Sequence, residues 1–237
     1  MKNAPSLAIC VAMSLGSVGA QAYEKGDWIL RAGLATVAPN ASSDDINLPT
    51  GLVAEADVDS DTQISIVPAY MITNNLAIEV LAATPFEHDI QAEGKGAIAG
   101  TTLDAGSTKH LPPTVSLQWY PRAGQSGWQP YIGLGLNYTV FFDEDTDGQL
   151  VGLLGDLTDG AVDGASLDLE ASWGLAAQVG VDIPINDNWA VNLGVWYIDI
   201  NTEAEVTATA GGAEAAVVEF DVEIDPWVYN IGVAYKF

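Results

Sequence analysis

Large apolar residues recur at every second position through most of the chain. In the last segment, 225–237, Trp227, Tyr229, Ile231, Val233 and Tyr235 alternate with Val228, Asn230, Gly232, Ala234 and Lys236. Alternation with period two puts one set of side chains on each face of a β-strand. Seven earlier segments carry the same signature: 27–39, 62–73, 76–82, 111–120, 130–142, 167–182 and 189–200. An aromatic carboxy-terminal residue, Phe237, ends the pattern, whereas the ends of soluble domains are commonly polar and frayed.

Charge decides which face meets lipid. A Lys or Arg facing lipid at the bilayer midplane costs about 2–4 kcal/mol, and Asp or Glu less. Arg31, Glu79, Asp168, Glu170 and Asp182 all share the less greasy parity, which therefore reads as the lumen. The same assignment sends Trp28, Trp119, Trp173, Trp189, Trp227 and Tyr235 outward, as interfacial aromatic belts require. A soluble barrel or sandwich would turn this face inward and overfill its core with Trp, Tyr, Leu and Ile.

The connections alternate in length. Spans 40–60, 90–107, 143–165 and 201–216 are long, and 74–75, 121–128 and 184–188 are short. In an even-stranded antiparallel barrel this puts every long loop on one side and both termini with the short turns. The expected architecture is all-β: an eight-stranded antiparallel transmembrane β-barrel with long extracellular loops and short periplasmic turns. Within the longest loop, the run Leu150–Leu157 is expected to form a helical turn over the mouth, and Pro85, Pro112 and Pro113 to bend or bulge strands at the rim.

Residues 1–22 read as a cleaved export signal, with Lys2, an apolar run over Leu7–Val18 and Ala20-Gln21-Ala22 as the cleavage site, leaving 23–237 as the barrel. The only cysteine, Cys10, falls inside that signal, so stability does not rest on disulfides. With 7 basic against 32 acidic residues, a nucleic-acid partner is excluded on electrostatic grounds. More than half of the acids lie in the long loops. Solvation of an exposed surface accounts for them, and divalent-cation bridging to lipopolysaccharide is the sharper alternative. The turn Asp143–Gly148 is acid-rich like a calcium loop but lacks the remaining spacing, so no metal site is assigned.

Several blocks carry a resemblance: Ala82–Ile90, Lys109–Thr114, Gln118–Tyr120, Pro130–Phe142, Ser172–Gly174, Gln178–Asp182, Val195–Asp199 and Asp225–Trp227. Together they resemble the OmpW family of small outer-membrane proteins. That resemblance implies a narrow, largely apolar channel for small hydrophobic molecules, with an aromatic of the Val195-Trp196-Tyr197 block at its constriction. On parity, Met71, Leu81, Phe141 and Trp196 are the apolar lumen residues, and the inward glycines leave space around them. Tyr229, Ile231, Val233, Tyr235 and Phe237 look like the C-terminal signal read by the barrel assembly machinery. The expected partners are thus outer-membrane lipid and lipopolysaccharide, that machinery, and small hydrophobic solutes. The competing function is a structural or surface-interaction barrel whose acidic loops bind cations, lipopolysaccharide or partners. His88 and His110, the only histidines, sit in blocks that read as structural, so no catalytic residue or cofactor is assigned.

Overall fold

The computed structural model describes residues 23–43, 45–47, 53–96 and 99–237. The expected export signal, 1–22, lies outside the described residues, as do 44, 48–52 and 97–98 of two expected loops. In chain order the elements are β1 (Trp28–Ala38), β2 (Ser42–Ser43), β3 (Ile46–Asn47), β4 (Val53–Val58), β5 (Asp61–Met71), β6 (Leu76–Ala83), β7 (Phe86–Lys95), β8 (Thr102–Leu111), β9 (Thr114–Trp119) and β10 (Gln129–Thr146). There follow α1 (Gly148–Leu157), β11 (Gly164–Leu169), β12 (Ser172–Pro184), β13 (Trp189–Ile198), β14 (Asn201–Ala210), β15 (Ala213–Glu223) and β16 (Trp227–Lys236).

Eight of these strands close on themselves in the order β12-β13-β16-β1-β5-β6-β9-β10, with β10 pairing back to β12. Every neighbour pair is antiparallel. The first and last strands meet, Leu34 opposite Ile231 and Gly33 opposite Gly232, so no barrel edge is left open. Parity holds throughout this wall. Trp173 and Leu134 are each 73% exposed, whereas Arg31, Glu79 and Asp182 are fully buried. An exposed apolar band with buried charges is stable only if the band faces hydrocarbon.

Aromatic pairs mark both borders of the band. Near the short turns Trp28 packs on Tyr70 at 5.0 Å and Trp189 on Tyr235 at 4.8 Å. At the other end Tyr138 meets Trp173 at 4.4 Å and Tyr197 meets Trp227 at 5.3 Å. The short turns are tight: the Asn186 side chain accepts from the backbone N–H groups of Asn188 and Trp189 at 3.0 and 2.9 Å.

Beyond the outer girdle the structure departs from the sequence expectation. The described parts of the four long connections are mostly strand. β3, β4, β7, β8 and the far end of β10 extend the barrel wall, while β11, β14, β15 and β2 form a second sheet. The cause is alternation that continues through the acidic stretches, as in Glu203-Ala204-Glu205-Val206-Thr207-Ala208, whose hairpin closes on Gly211 and Gly212 at φ 60° and 79°. A second correction concerns Asp168 and Glu170, expected in the lumen. The strand breaks between Leu169 and Ser172, the parity flips across the break, and both acids are exposed while Leu167 and Leu169 pack inward. The expected helical turn is the ten-residue α1. It is capped by Asp147, whose carboxylate accepts from the Gln149 N–H at 2.8 Å. The acid-rich turn 143–148 is therefore strand end and helix cap.

Candidate functional site

The lumen is stacked in layers along the barrel axis. At the periplasmic end Tyr23, Ile29, Met71, Tyr120 and Tyr131 form an apolar and aromatic cluster. Tyr23 meets Tyr120 edge-on at 5.5 Å, and Tyr120 meets Tyr131 at 5.4 Å.

Above it lies a charged network. Arg31 reaches Asp182 with two bonds, Nη2 to Oδ2 at 2.7 Å and Nε to Oδ1 at 3.1 Å, and Glu79 Oε2 with Nη1 at 3.0 Å. Its Nη2 also donates to the Tyr120 hydroxyl at 2.8 Å, and its guanidinium lies 4.9 Å from the Tyr131 ring centre. Gln118 and Gln178 bind each other and Glu79, and Asn192 and Tyr23 donate to Asp182. A bidentate Arg–carboxylate pair in which every carboxylate oxygen accepts at least one hydrogen bond is the form in which buried ions offset their desolvation. Parity had placed Arg31, Glu79 and Asp182 on one face. Their convergence required the closed barrel.

The next layer is apolar around Trp196, which is fully buried among Ala35, Val37, Val67, Leu81, Ala176 and Val228, with Phe141 packed against the group. Of the four lumen residues expected from sequence, Leu81, Phe141 and Trp196 are thus brought together. Met71 belongs to the periplasmic cluster on the far side of the charged network. The inward glycines do not leave the lumen empty. A Cβ at Gly194 would lie 2.6 Å from Trp196 Cη2, and one at Gly180 2.3 Å from the Tyr131 ring, so these glycines admit large side chains.

Phe86, His88, His110 and Phe141 form the following layer, beyond the outer girdle. The imidazoles stack at 4.8 Å and 12°, and Phe86 lies 5.5 Å from His110. Burial holds His88 below the usual imidazole range, and burial with the neighbouring His88 pushes His110 down to about 3.

Above the histidines opens an apolar chamber of about 190 Å³. Its wall comes from β4, β7, β8, α1, β11, β14 and β15, with Ile90, Leu103, Leu154, Leu167, Val206 and Phe220 among its lining residues. These residues lie mostly in segments the sequence reading treated as loop. The signal available was the alternation of 203–208 and the Leu150, Leu153, Leu154 spacing on α1.

The barrel wall is interrupted beside the Trp196 layer. Pairing of β6 with β9 stops at Leu81 opposite Thr114, and pairing of β7 with β8 resumes at Phe86 opposite His110. Pro112 and Pro113 lie in the gap and have no N–H to give a ladder. Behind it a small cavity of about 10 Å³ is lined by Leu81, Ala83, Phe86, Pro112 and Val228. The C-terminal residues Tyr229, Ile231, Val233 and Phe237 all face outward, and Tyr235 contacts Phe237 at 4.8 Å.

A closed eight-stranded antiparallel barrel with a lipid-facing band, two aromatic girdles and a filled interior is a small outer-membrane barrel. The chain belongs to the OmpW family, whose family model matches residues 24–237. It is 45% identical to "Outer membrane protein W" of Vibrio cholerae over 97% of each chain. The crystal structure of the outer membrane protein OprG from Pseudomonas aeruginosa superposes with a TM-score of 0.76 at 40% identity, covering 92% of this chain and 99% of that one. A more distant relative, 25% identical over 97% of this chain and 98% of its own, is the "Dibenzothiophene metabolism operon protein PahQ" of Pseudomonas aeruginosa. The protein is accordingly an outer-membrane barrel.

Proposed function

We propose that this barrel is a passive entry route for small hydrophobic molecules, captured in the extracellular chamber and released sideways into the membrane. The chamber carries the reading. A cavity of about 190 Å³ with an almost wholly apolar wall, set above the lipopolysaccharide-bearing surface, favours apolar solutes over ions or sugars. The filled periplasmic half opposes axial passage, because a solute taking that way would have to displace the buried Arg31–Asp182–Glu79 network. The wall gap between Leu81–Thr114 and Phe86–His110 offers a shorter way out, next to Trp196. A solute taking it passes the layer of Phe86, His88, His110 and Phe141, beneath which Trp196 and Leu81 form the floor that turns it aside, and Met71 plays no part in the route. A relative that bears the name of a dibenzothiophene metabolism operon agrees with an apolar cargo. The outward C-terminal residues Tyr229–Phe237 serve as the signal for the barrel assembly machinery, and lipopolysaccharide contacts the outer wall.

Uptake of a fluorescent hydrophobic probe by cells expressing the barrel tests the route. Ala208→Trp, which fills the chamber from its wall, is expected to lower uptake several-fold, and Trp196→Ala to change it. Unaltered uptake in both variants would refute the reading.

A further inference from the structure

One strand of the second sheet has a free side. β15 pairs with β14 along its length, but on its other side β2 pairs only with Val222 and Glu223. Over 213–221 alternate residues turn an N–H and a C=O away from β14, and among the described residues no backbone group receives them. The side chains are open as well. Ala216, Val217 and Val218 are exposed, the two valines at 40% and 39%, whereas Ala204 and Ala208 on the adjoining β14 are buried. Folded proteins protect such an edge or use it to take up a further strand.

The free side flanks the apolar chamber. Ala216, Val218 and Phe220 line it from β15, and Ile46, Ala54 and Ala56 from β3 and β4. Among the described residues no ladder joins β15 to β3 or β4. β2 bridges the two at the membrane end, because it pairs with β15 and its Ser43 hydroxyl accepts from the Ala56 N–H at 2.9 Å. A slot is left beside β15, closed below by β2 and backed by the chamber.

The opposite face of this sheet is acidic. Glu205 lies directly across from Asp168 on β11 and from Glu219 on β15, and Glu203 from Asp221. Like charges opposite one another in a ladder repel. Repulsion, from Glu170 first and also from Glu219, Asp221 and Glu205, raises the Glu203 carboxyl above its ordinary range. The sheet has no cation of its own: the sequence contains no Lys or Arg between Arg122 and Lys236, and none of these carboxylates makes an ion pair among the described residues.

We infer that the free side of β15 is a docking edge for an extended cationic peptide, which adds a strand to the second sheet. Parity sets its pattern. Residues opposite Ala216, Val218 and Phe220 point to the chamber and are apolar, and those opposite Glu219 and Asp221 join the acidic rows and are Lys or Arg. An acidic strand lacks the second match. A second copy of this chain is disfavoured for the same reason, since β15 laid against β15 sets more acids beside these rows. The docking edge is independent of what crosses the membrane.

The test uses the full mature barrel in phosphatidylcholine nanodiscs, which offer no anionic lipid to hold the probe. The probe is a short capped peptide alternating Lys and Val, and the controls are its Glu and Val counterpart and a version whose central Val is Pro. The Lys and Val peptide is expected to bind saturably and to protect amides within 213–221 from exchange, and neither control to do so. Glu219→Lys with Asp221→Lys is expected to weaken the peptide about 10-fold, as two exposed charge pairs reversed in sign would, with amide protection in β14 retained. No binding, equal binding of the Lys and Glu peptides, or binding that leaves 213–221 unprotected overturns the docking edge. The exchange reading in the unaltered protein needs no variant and so decides even if the double variant fails to assemble. Protection of 213–221 that rises with barrel concentration in the absence of peptide assigns the edge to a second copy and overturns it too.

Discussion

At the scale of single residues, Arg31 carries the most consequence. It is the only cation of its network, and it holds two buried carboxylates, Glu79 and Asp182, at 3.0 and 2.7 Å. Arg31→Met leaves both without a counter-charge, and loss of about 3–5 kcal/mol of stability is expected, the usual cost of breaking a buried ion pair from one side. Urea unfolding of the detergent-solubilised barrel measures it. A change under about 1 kcal/mol would mean that the carboxylates find other partners. Gly33 is the second such position. A Cβ there would sit 2.2 Å from the Ile231 carbonyl oxygen, which is backbone and cannot turn away. Gly33→Val is expected to cost about 1–3 kcal/mol by overpacking the seam where the first strand meets the last, seen as a lower temperature at which the barrel loses its compact gel mobility.

At the scale of elements, the β7–β8 hairpin is where the histidines couple structure to pH. His110 binds a proton far less readily when folded, at about 3, than at the ordinary 6.5. A depressed folded value means that stability is complete above pH 6.5 and declines as pH falls toward 3, because the unfolded chain takes up the proton first. The groups facing the pair temper this. Asp59, Asp61 and Asp89 raise the affinity of His88 for a proton, Asp61 raises that of His110, and the two imidazoles oppose each other's charging. Amide protection in 86–95 and 102–111, taken relative to the intrinsic exchange rate at each pH, is therefore expected to fall between pH 7 and pH 5, and His110→Phe to flatten that dependence. An equal response in the variant would assign the effect to the acids. The helix α1 depends on its cap, so Asp147→Ala should loosen it by about 1 kcal/mol, visible as faster exchange confined to residues 148–157.

At the scale of the whole molecule, the barrel is two structures in series. The membrane half is filled by side chains, as an eight-stranded circumference dictates. The outer half widens because its strands split into an extended barrel wall and a second sheet, and α1 spans between them. Ion conductance in planar bilayers is accordingly expected to be absent, and to remain absent in Trp196→Ala, since the Arg31 network still fills the lumen beneath. A Trp196→Ala barrel with open-pore conductance would contradict the layered interior.

The alternation of large apolar residues by itself determined the eight barrel strands, their inward and outward faces, the side of the short turns and the outward aromatic belts. Each is a local consequence of a period-two backbone meeting lipid on one side, so neighbouring residues in sequence suffice to state it. The export signal rests on sequence alone. Tertiary structure decided what lies inside. That Arg31 meets Asp182 and Glu79, that Gly194 makes room for Trp196, and that Met71 is cut off from Leu81 all depend on which strands curl to face one another across the lumen. Parity names a face but not a height along the axis or an opposite partner. The acidic segments were the harder case. Their charges read as solvent-exposed loop, and the flip at Asp168 and Glu170 came from a strand break that periodicity does not register. Only when β4, β7, β8, α1, β11, β14 and β15 are brought together do their small and apolar residues enclose the chamber, because a cavity exists between elements and in none of them singly.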